Sequence, residues 1–173
     1  MTFLHGGPIA ALASGEQDRT GAWIDPHWAT FIPDFPSSGI CGEDAMLAAF
    51  QARELPDDDQ EVDAILAGLD ALVAASRCDR QRMFLVGHSY GAYLVNRAVS
   101  RTGRFRAAVC WEGVADLRLL DEASLAVQSG LRGGSRRNAP LRWSAASPID
   151  RVERIGAPMV LVTAPRRGWP PTV

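Results

Sequence analysis

The sequence predicts an α/β fold, built as a mostly parallel sheet with helices on both faces. Three short apolar runs, each bounded by turn-forming or charged residues, have the length and composition of strands: Met83–Val86, Ala107–Trp111 and Met159–Val162. Segments with apolar residues at helical spacing lie between them. Strands that alternate with helices favour a parallel sheet, because parallel neighbours need a long crossover connection.

Each remaining element has its own local signal. Thr2–Leu4 has the pattern of a short strand, and the apolar residues from Val62 to Val73 recur at helical spacing behind the acidic run Asp57–Asp59, which suits a helix N-terminus. A second helix is expected from Gly91 to Arg101. The segment from Ser147 to Gly156 opens with Ser-Pro and stops at glycine, which predicts a short helix.

Length and charge restrict the class of protein. A chain of 173 residues with 47% apolar content can form one compact domain with a real core. Its formal net charge is −2, and its positive side chains are all arginines spread along the chain without a basic stripe. Nucleic acid is therefore not an expected partner. The glycine- and arginine-rich segment from Gly130 to Arg142 is expected to be a solvated loop, with a cover over a site as the alternative.

The cysteines and the hydropathy pattern bear on the environment of the protein. Cys41, Cys78 and Cys110 are an odd number with no metal-binding spacing, so we expect no disulfide scaffold, no metal, no cofactor and a reducing cytoplasm. No apolar stretch has the length that spans a bilayer, and the first residues lack the basic region of a signal peptide. A membrane is not an expected partner, and the sequence predicts no oligomeric state.

The motif with chemical content is Gly87-His88-Ser89-Tyr90-Gly91, a match to G-x-S-x-G. In this motif a serine lies on a strained turn between a strand and a helix, and the flanking residues must be small because backbone approaches closely. The predicted strand before it and helix after it supply this context. We therefore predict Ser89 as a nucleophile, with the backbone N–H of Tyr90 directed at a developing oxyanion.

A second motif lies at the start of the chain. His5-Gly6-Gly7-Pro8 follows the predicted strand Thr2–Leu4, and glycines at this place allow main-chain N–H groups to serve as further oxyanion donors. A plain glycine turn is the alternative. An HGG-type turn ahead of a nucleophile elbow is the order in which α/β-hydrolases arrange these parts, so His5, Gly6 and Gly7 are predicted to lie beside Ser89.

These blocks resemble the catalytic domain of the prolyl oligopeptidase (S9) family. The resemblance rests on HGGP, on DAILAGLDALVAASRCDRQRMFLVGHSYGAYL and on SPIDRVERIGAPMVLV, and it covers nearly the whole chain. It implies an α/β-hydrolase fold and a serine peptidase or related acyl hydrolase, acting on a peptide or small ester. It also implies a structural role for Asp79 in the turn before the nucleophile strand.

The chain departs from the family after its last matched strand. Arg167 stands about where the family has its acid, and no histidine follows Ser89, although the order in this fold is Ser, acid, His. His88 is interpreted as a packing residue and His27 as a surface or lid residue. Three aspartates after the nucleophile are interpreted as turn or cap residues: Asp116, Asp121 and Asp150.

We therefore expect an incomplete α/β-hydrolase sheet, truncated at both ends, in residues 1–163, followed by a divergent Pro- and Arg-rich tail in residues 164–173. The leading hypothesis is a serine peptidase that forms an acyl-enzyme on Ser89 and is impaired by the missing acid and histidine. Two alternatives remain open. One is a non-catalytic remnant or binding module, and the other is a carboxylesterase-like hydrolase, which shares the elbow and the HGG turn.

Overall fold

The computed structural model describes residues 1–7, 27–39, 42, 44, 60–120 and 135–163. Its centre is a four-stranded sheet of β1 (Thr2–Leu4), β2 (Phe84–His88), β3 (Ala107–Trp111) and β4 (Met159–Val162). All neighbouring strands are parallel, and the order in the sheet follows the order in the chain. This architecture confirms the predicted α/β class.

The described helices are α1 (Gln60–Ala74), α2 (Tyr90–Arg101) and α3 (Pro140–Ala146), together with 3₁₀ helices at Leu117–Leu119 and Pro148–Arg154. Helix α2 packs against β1, β2, β3 and the second 3₁₀ helix, while α1 packs against α2. All residues of α2 from Tyr90 to Ser100 are buried. Helix α2 is thus the central element on its side of the sheet, and it begins directly after Ser89.

Helix α1 follows from its apolar spacing and ends in a defined cap. Its residues Val62, Ile65 and Leu69 are buried on one face, as the sequence pattern predicts. After the last turn, the backbone N–H of Arg77 donates to Leu72 O and the backbone N–H of Ser76 donates to Val73 O, with Ser76 at φ 55°. These two bonds are those of a Schellman motif, in which the left-handed residue is usually glycine.

Two side chains of α2 hold the end of α3. The hydroxyl of Tyr93 donates to Ala146 O at 3.1 Å, and the buried guanidinium of Arg97 donates from Nη1 to Ala145 O at 2.5 Å. The last carbonyls of a helix have no intrahelical partner, so buried donors are needed here. The two bonds fix α3 onto the face of α2.

The structure differs from the sequence-based predictions in three places. Helix α3 begins at Pro140, inside the segment predicted as a solvated loop, because Trp143 and Ala146 supply a buried face. The predicted helix after Ser147 is a 3₁₀ helix with a kink at Arg151. Strand β2 extends beyond the predicted Val86 to His88, since its pairing with β1 continues to Gly87 and its pairing with β3 continues to His88.

Strand β4 is less covered than a strand of a parallel sheet usually is. Val160, Leu161 and Val162 are 57%, 58% and 40% exposed. Successive residues of a strand point to opposite faces, so both faces of β4 are open within the part of the chain that the structure describes.

Several predictions lie outside the described residues: the acidic run Asp57–Asp59, Cys41, Asp121, Pro8, the first part of the Gly130–Arg142 segment and the 164–173 tail. Within the described ranges, no helix has the length and apolar character needed to cross a membrane.

Candidate active site

Ser89 occupies a strained turn between a buried strand and a buried helix. Strand β2 ends at His88 and α2 begins at Tyr90, so one residue makes the whole turn. Ser89 has φ 54° and ψ −116°, a conformation that costs a non-glycine residue about 1–3 kcal/mol. Its N–H donates to Trp111 O at 2.9 Å and its carbonyl accepts from Tyr93 N at 3.0 Å. These bonds hold the backbone in place, and the side chain is exposed at the carboxyl end of the sheet.

The two glycines of the motif are required by space. A Cβ on Gly87 would lie 2.4 Å from Gly91 O, and a Cβ on Gly91 would lie 2.1 Å from Leu4 O and 2.6 Å from His5 O. The strand, the helix and the end of β1 therefore approach each other through these two positions. The predicted reason for small residues beside Ser89 is confirmed.

Tyr90 has two separate roles, one for its backbone N–H and one for its side chain. As the first residue of α2 it carries one of the N–H groups that have no acceptor within their own helix, and the positive end of the helix lies at the same place. Its ring is buried, and its hydroxyl donates to Oε1 of the buried Glu61 at 3.4 Å. The phenol therefore anchors the start of α2 in the core.

The end of β1 and the first residue of the His5–Gly7 turn lie close against the first turn of α2, because a Cβ on Gly91 would overlap Leu4 O and His5 O. Gly7 is exposed and has φ 134°, a backbone conformation that L side chains rarely adopt. The side chain of His5 is 0% exposed, so it points away from the solvent-facing side of the turn. The structure thus brings the end of β1 and the backbone of His5 against the first turn of α2, next to Tyr90 and Ser89, with His5 fully buried and Gly7 exposed.

His88 and Glu112 form a pair beside the nucleophile. His88 Nε2 lies 3.6 Å from Glu112 Oε2, and the His88 ring packs on Trp111 with 4.7 Å between centroids. This geometry agrees with the interpretation of His88 as a packing residue. Sequence reasoning missed Glu112, which follows β3 and has φ 52°. Its place at the carboxyl end of a predicted strand was the available signal.

The aspartates after the nucleophile have structural partners. Asp116 caps the first 3₁₀ helix by accepting from the backbone N–H of Arg118. The guanidinium of Arg118 pairs with Asp116 and also with Asp150, at 2.9 Å. Burial alone would raise the pKa of Asp116, but hydrogen bonds from the side chain and backbone of Arg118 lower it below its ordinary value. The cap and turn interpretation is therefore confirmed for Asp116.

Asp79 forms the turn before β2. Its carboxylate accepts from the backbone N–H of Gln81 at 2.8 Å and from Nε of Arg82 at 2.7 Å. The hydrogen bond from Gln81, followed by that from Arg82, lowers the pKa of Asp79. This agrees with the structural role that the resemblance implies.

One buried thiol lies beside the first turn of α2. Cys110, under the carboxyl end of β3, donates to Ala92 O at 3.6 Å, and burial raises the pKa of its thiol. His27 is exposed, in agreement with its interpretation as a surface residue. Within the described ranges, no group of three or more His, Cys, Asp or Glu side chains is placed to hold a metal ion.

Comparison with known proteins places this geometry in a family. The family model "Prolyl oligopeptidase family" matches residues 42–165, well over half of the chain. Comparison with curated protein sequences gives no match.

Solved structures share the fold at low sequence identity. A Mycobacterium tuberculosis puromycin-hydrolyzing peptidase superposes with a TM-score of 0.75 at 21% identity, over 92% of this chain and 24% of that one. A Pyrococcus horikoshii acylaminoacyl peptidase gives 0.70 at 20%, over 92% and 26% of the two chains. Porphyromonas gingivalis dipeptidyl peptidase 4 gives 0.71 at 18%, over 92% and 22%. This chain therefore spans about a quarter of the length of these proteins, and it belongs to the prolyl oligopeptidase (S9) family.

Proposed function

We propose that this chain carries the nucleophile and oxyanion half of a serine peptidase site, in which Ser89 forms an acyl-enzyme with a peptide or small ester. The observation that carries the proposal is the strained Ser89 turn, held by Trp111 O and Tyr93 N and packed between glycines that leave no room for a side chain. Strain of this kind persists at functional sites because the surrounding structure imposes it.

The chemistry follows from what surrounds the hydroxyl. Oγ of Ser89 attacks the substrate carbonyl carbon, and the carbonyl oxygen becomes an oxyanion that the N–H of Tyr90 and the Gly6–Gly7 turn are proposed to stabilise. The serine proton passes to a base, and collapse of the intermediate expels the amine or alcohol, which takes up a proton. Water then hydrolyses the acyl-enzyme. The reaction needs no cofactor.

His5 and His88 of this chain are poorly placed to accept the Ser89 proton. No histidine follows Ser89 in the sequence, the ring nitrogens of His5 face Gly6 O and Asp34, and Nε2 of His88 faces Glu112. Loss of the catalytic histidine lowers turnover on the order of 10⁶-fold in measured serine proteases. We therefore propose that this chain, acting alone, is impaired in turnover.

The neighbours provide the substrate class for the proposal. The three neighbouring structures described above are named as peptidases, which favours peptides over simple esters. A carboxylesterase-like activity remains the alternative, and a non-catalytic binding module is favoured by one observation, the exposed apolar residues of β4. The two described cysteines, Cys78 and Cys110, are free thiols, and we propose a reducing cytoplasm as the location.

An acylation experiment tests the proposal. The chain is mixed with p-nitrophenyl acetate and with proline-containing peptide anilides, and release of the leaving group is compared with intact mass. We expect a slow acetyl adduct on Ser89 that is absent from Ser89→Ala. Cleavage of the anilides beyond that of Ser89→Ala would favour the peptidase over the esterase. Equal release by both variants, with no adduct on a folded chain, would contradict the proposal and favour the binding module.

A further inference from the structure

The imidazole of His5 is enclosed behind the turn that precedes the nucleophile. It is fully buried and lies stacked on Phe35, with 4.3 Å between ring centroids and 16° between planes. Nδ1 lies 2.8 Å from Gly6 O, and Nε2 lies 3.5 Å from Oδ1 of Asp34. A ring in this position has no contact with solvent, so any effect on the site must pass through the groups that it holds.

The contact with Gly6 determines which way the next peptide faces. A carbonyl oxygen only accepts, so Nδ1 has to carry the hydrogen of this bond. In a trans peptide the C=O and the following N–H point in opposite directions, and the described residues contain no cis peptide bond. With Gly6 O held toward the buried ring, the N–H of Gly7 points toward the exposed side of the turn.

The same support reaches the other proposed donor. Phe35, on which His5 is stacked, also packs against the ring of Tyr90 with 6.0 Å between centroids. The carbonyls of Leu4 and His5 lie so close to Gly91, one residue further along α2, that a Cβ there would overlap both of them. The turn and the start of α2 are therefore packed against each other, and the ring of Phe35 contacts both the ring of His5 and the ring of Tyr90.

We propose that His5 is a positioning residue, whose Nδ1–H holds the Gly6 carbonyl so that the N–H of Gly7 faces the oxyanion beside Ser89. This inference rests on the proposed function for the identity of the anion, and it gives the His5 side chain a role without substrate contact. The chemical requirement is a hydrogen-bond donor at the position of Nδ1. A donor at the position of Nε2 would not meet it.

Two amide substitutions separate these positions. His5→Asn places an amide N–H near the position of Nδ1, whereas His5→Gln places the same group near the position of Nε2. We expect long-range ¹H–¹⁵N spectra of the unmodified chain to show hydrogen on Nδ1 of His5. We further expect the Gly7 amide signal to be retained in His5→Asn and displaced or broadened in His5→Gln, at similar urea midpoints.

The wild-type spectrum alone can overturn the inference, so the test does not depend on whether a variant folds. An Nδ1 without hydrogen would contradict it, as would a Gly7 signal in a folded His5→Gln variant that matches the wild type. If Ser89 is acylated, His5→Gln should also react at least about tenfold more slowly than His5→Asn, since removal of an oxyanion donor costs about 10²–10³-fold. Correct spectra with an unreactive Ser89 would contradict the proposed function and leave the role of His5 intact.

Discussion

Substitution of Gly91 by alanine probes the contact on which the geometry of the site depends. The added Cβ would lie 2.1 Å from Leu4 O and 2.6 Å from His5 O, whereas favourable contacts between heavy atoms lie near 3.5–4.0 Å. The start of α2 and the end of β1 would have to separate by about 1.4 Å to bring the Leu4 contact to the lower end of this range. Both neighbours are backbone, so neither can rotate away as a side chain would.

The expected cost is large relative to the stability of a domain. Overpacking costs about 1–3 kcal/mol and occasionally more, and we expect Gly91→Ala to reach at least about 3 kcal/mol, because backbone must move on both sides. With a urea m-value of about 1–3 kcal/mol/M, the unfolding midpoint should fall by about 1–3 M. Unfolding followed by far-ultraviolet circular dichroism measures this change.

Gly103→Ala provides the matched control. A Cβ on Gly103 would meet no atom within 4 Å, so this variant should stay within about 0.5 kcal/mol of the unmodified chain. If Gly91→Ala unfolds at the same urea concentration as Gly103→Ala, the end of β1 does not lie against the start of α2. The reasoning about the turn beside Ser89 would then be refuted.

Three further predictions concern stability. Ser76→Gly should stabilise the chain by about 0.5–1 kcal/mol, because φ 55° at this helix cap favours glycine; an unchanged or lower urea midpoint would contradict this. Tyr93→Phe should cost about 1–3 kcal/mol, since the buried Ala146 O loses its donor, and a midpoint equal to that of the unmodified chain would count against that bond. For Asp116, burial raises the pKa but the Arg118 hydrogen bonds outweigh it, so the folded pKa lies below the ordinary 3.8. Its contribution to stability should be complete above this value and decline as pH falls through the folded pKa; Asp116→Asn should flatten the acid limb of the pH–stability curve, and an identical limb would refute the assignment.

The sequence was sufficient for the elements whose signals are local. The strands of the sheet and helices α1 and α2 lie within two residues of their predicted bounds, because burial imposes their period directly on the sequence. The elbow was predictable for the same reason, since its glycines respond to a steric demand within five consecutive residues.

What the sequence did not reveal depends on contacts between distant segments. Helix α3 begins at the end of the glycine- and arginine-rich segment, and it is held by Tyr93 and Arg97 of α2, about fifty residues earlier in the chain. The support of His5 by Phe35 and Asp34 likewise joins segments that no periodic pattern connects. Glu112 was missed because its interest depends on its contact with His88, which ends the neighbouring strand β2.

The central proposal is that Ser89 is a preformed nucleophile and that this chain, in which no histidine follows Ser89, does not supply its base. Fluorophosphonate labelling, followed by intact mass and peptide mapping, tests it when the rate is measured with and without added imidazole, which can take the serine proton in place of a histidine. We predict a slow adduct on Ser89 that accelerates as imidazole is raised and is absent from Ser89→Ala. Rapid stoichiometric labelling without imidazole would contradict the missing base, and no Ser89 adduct on the folded chain, even with imidazole, would contradict the nucleophile.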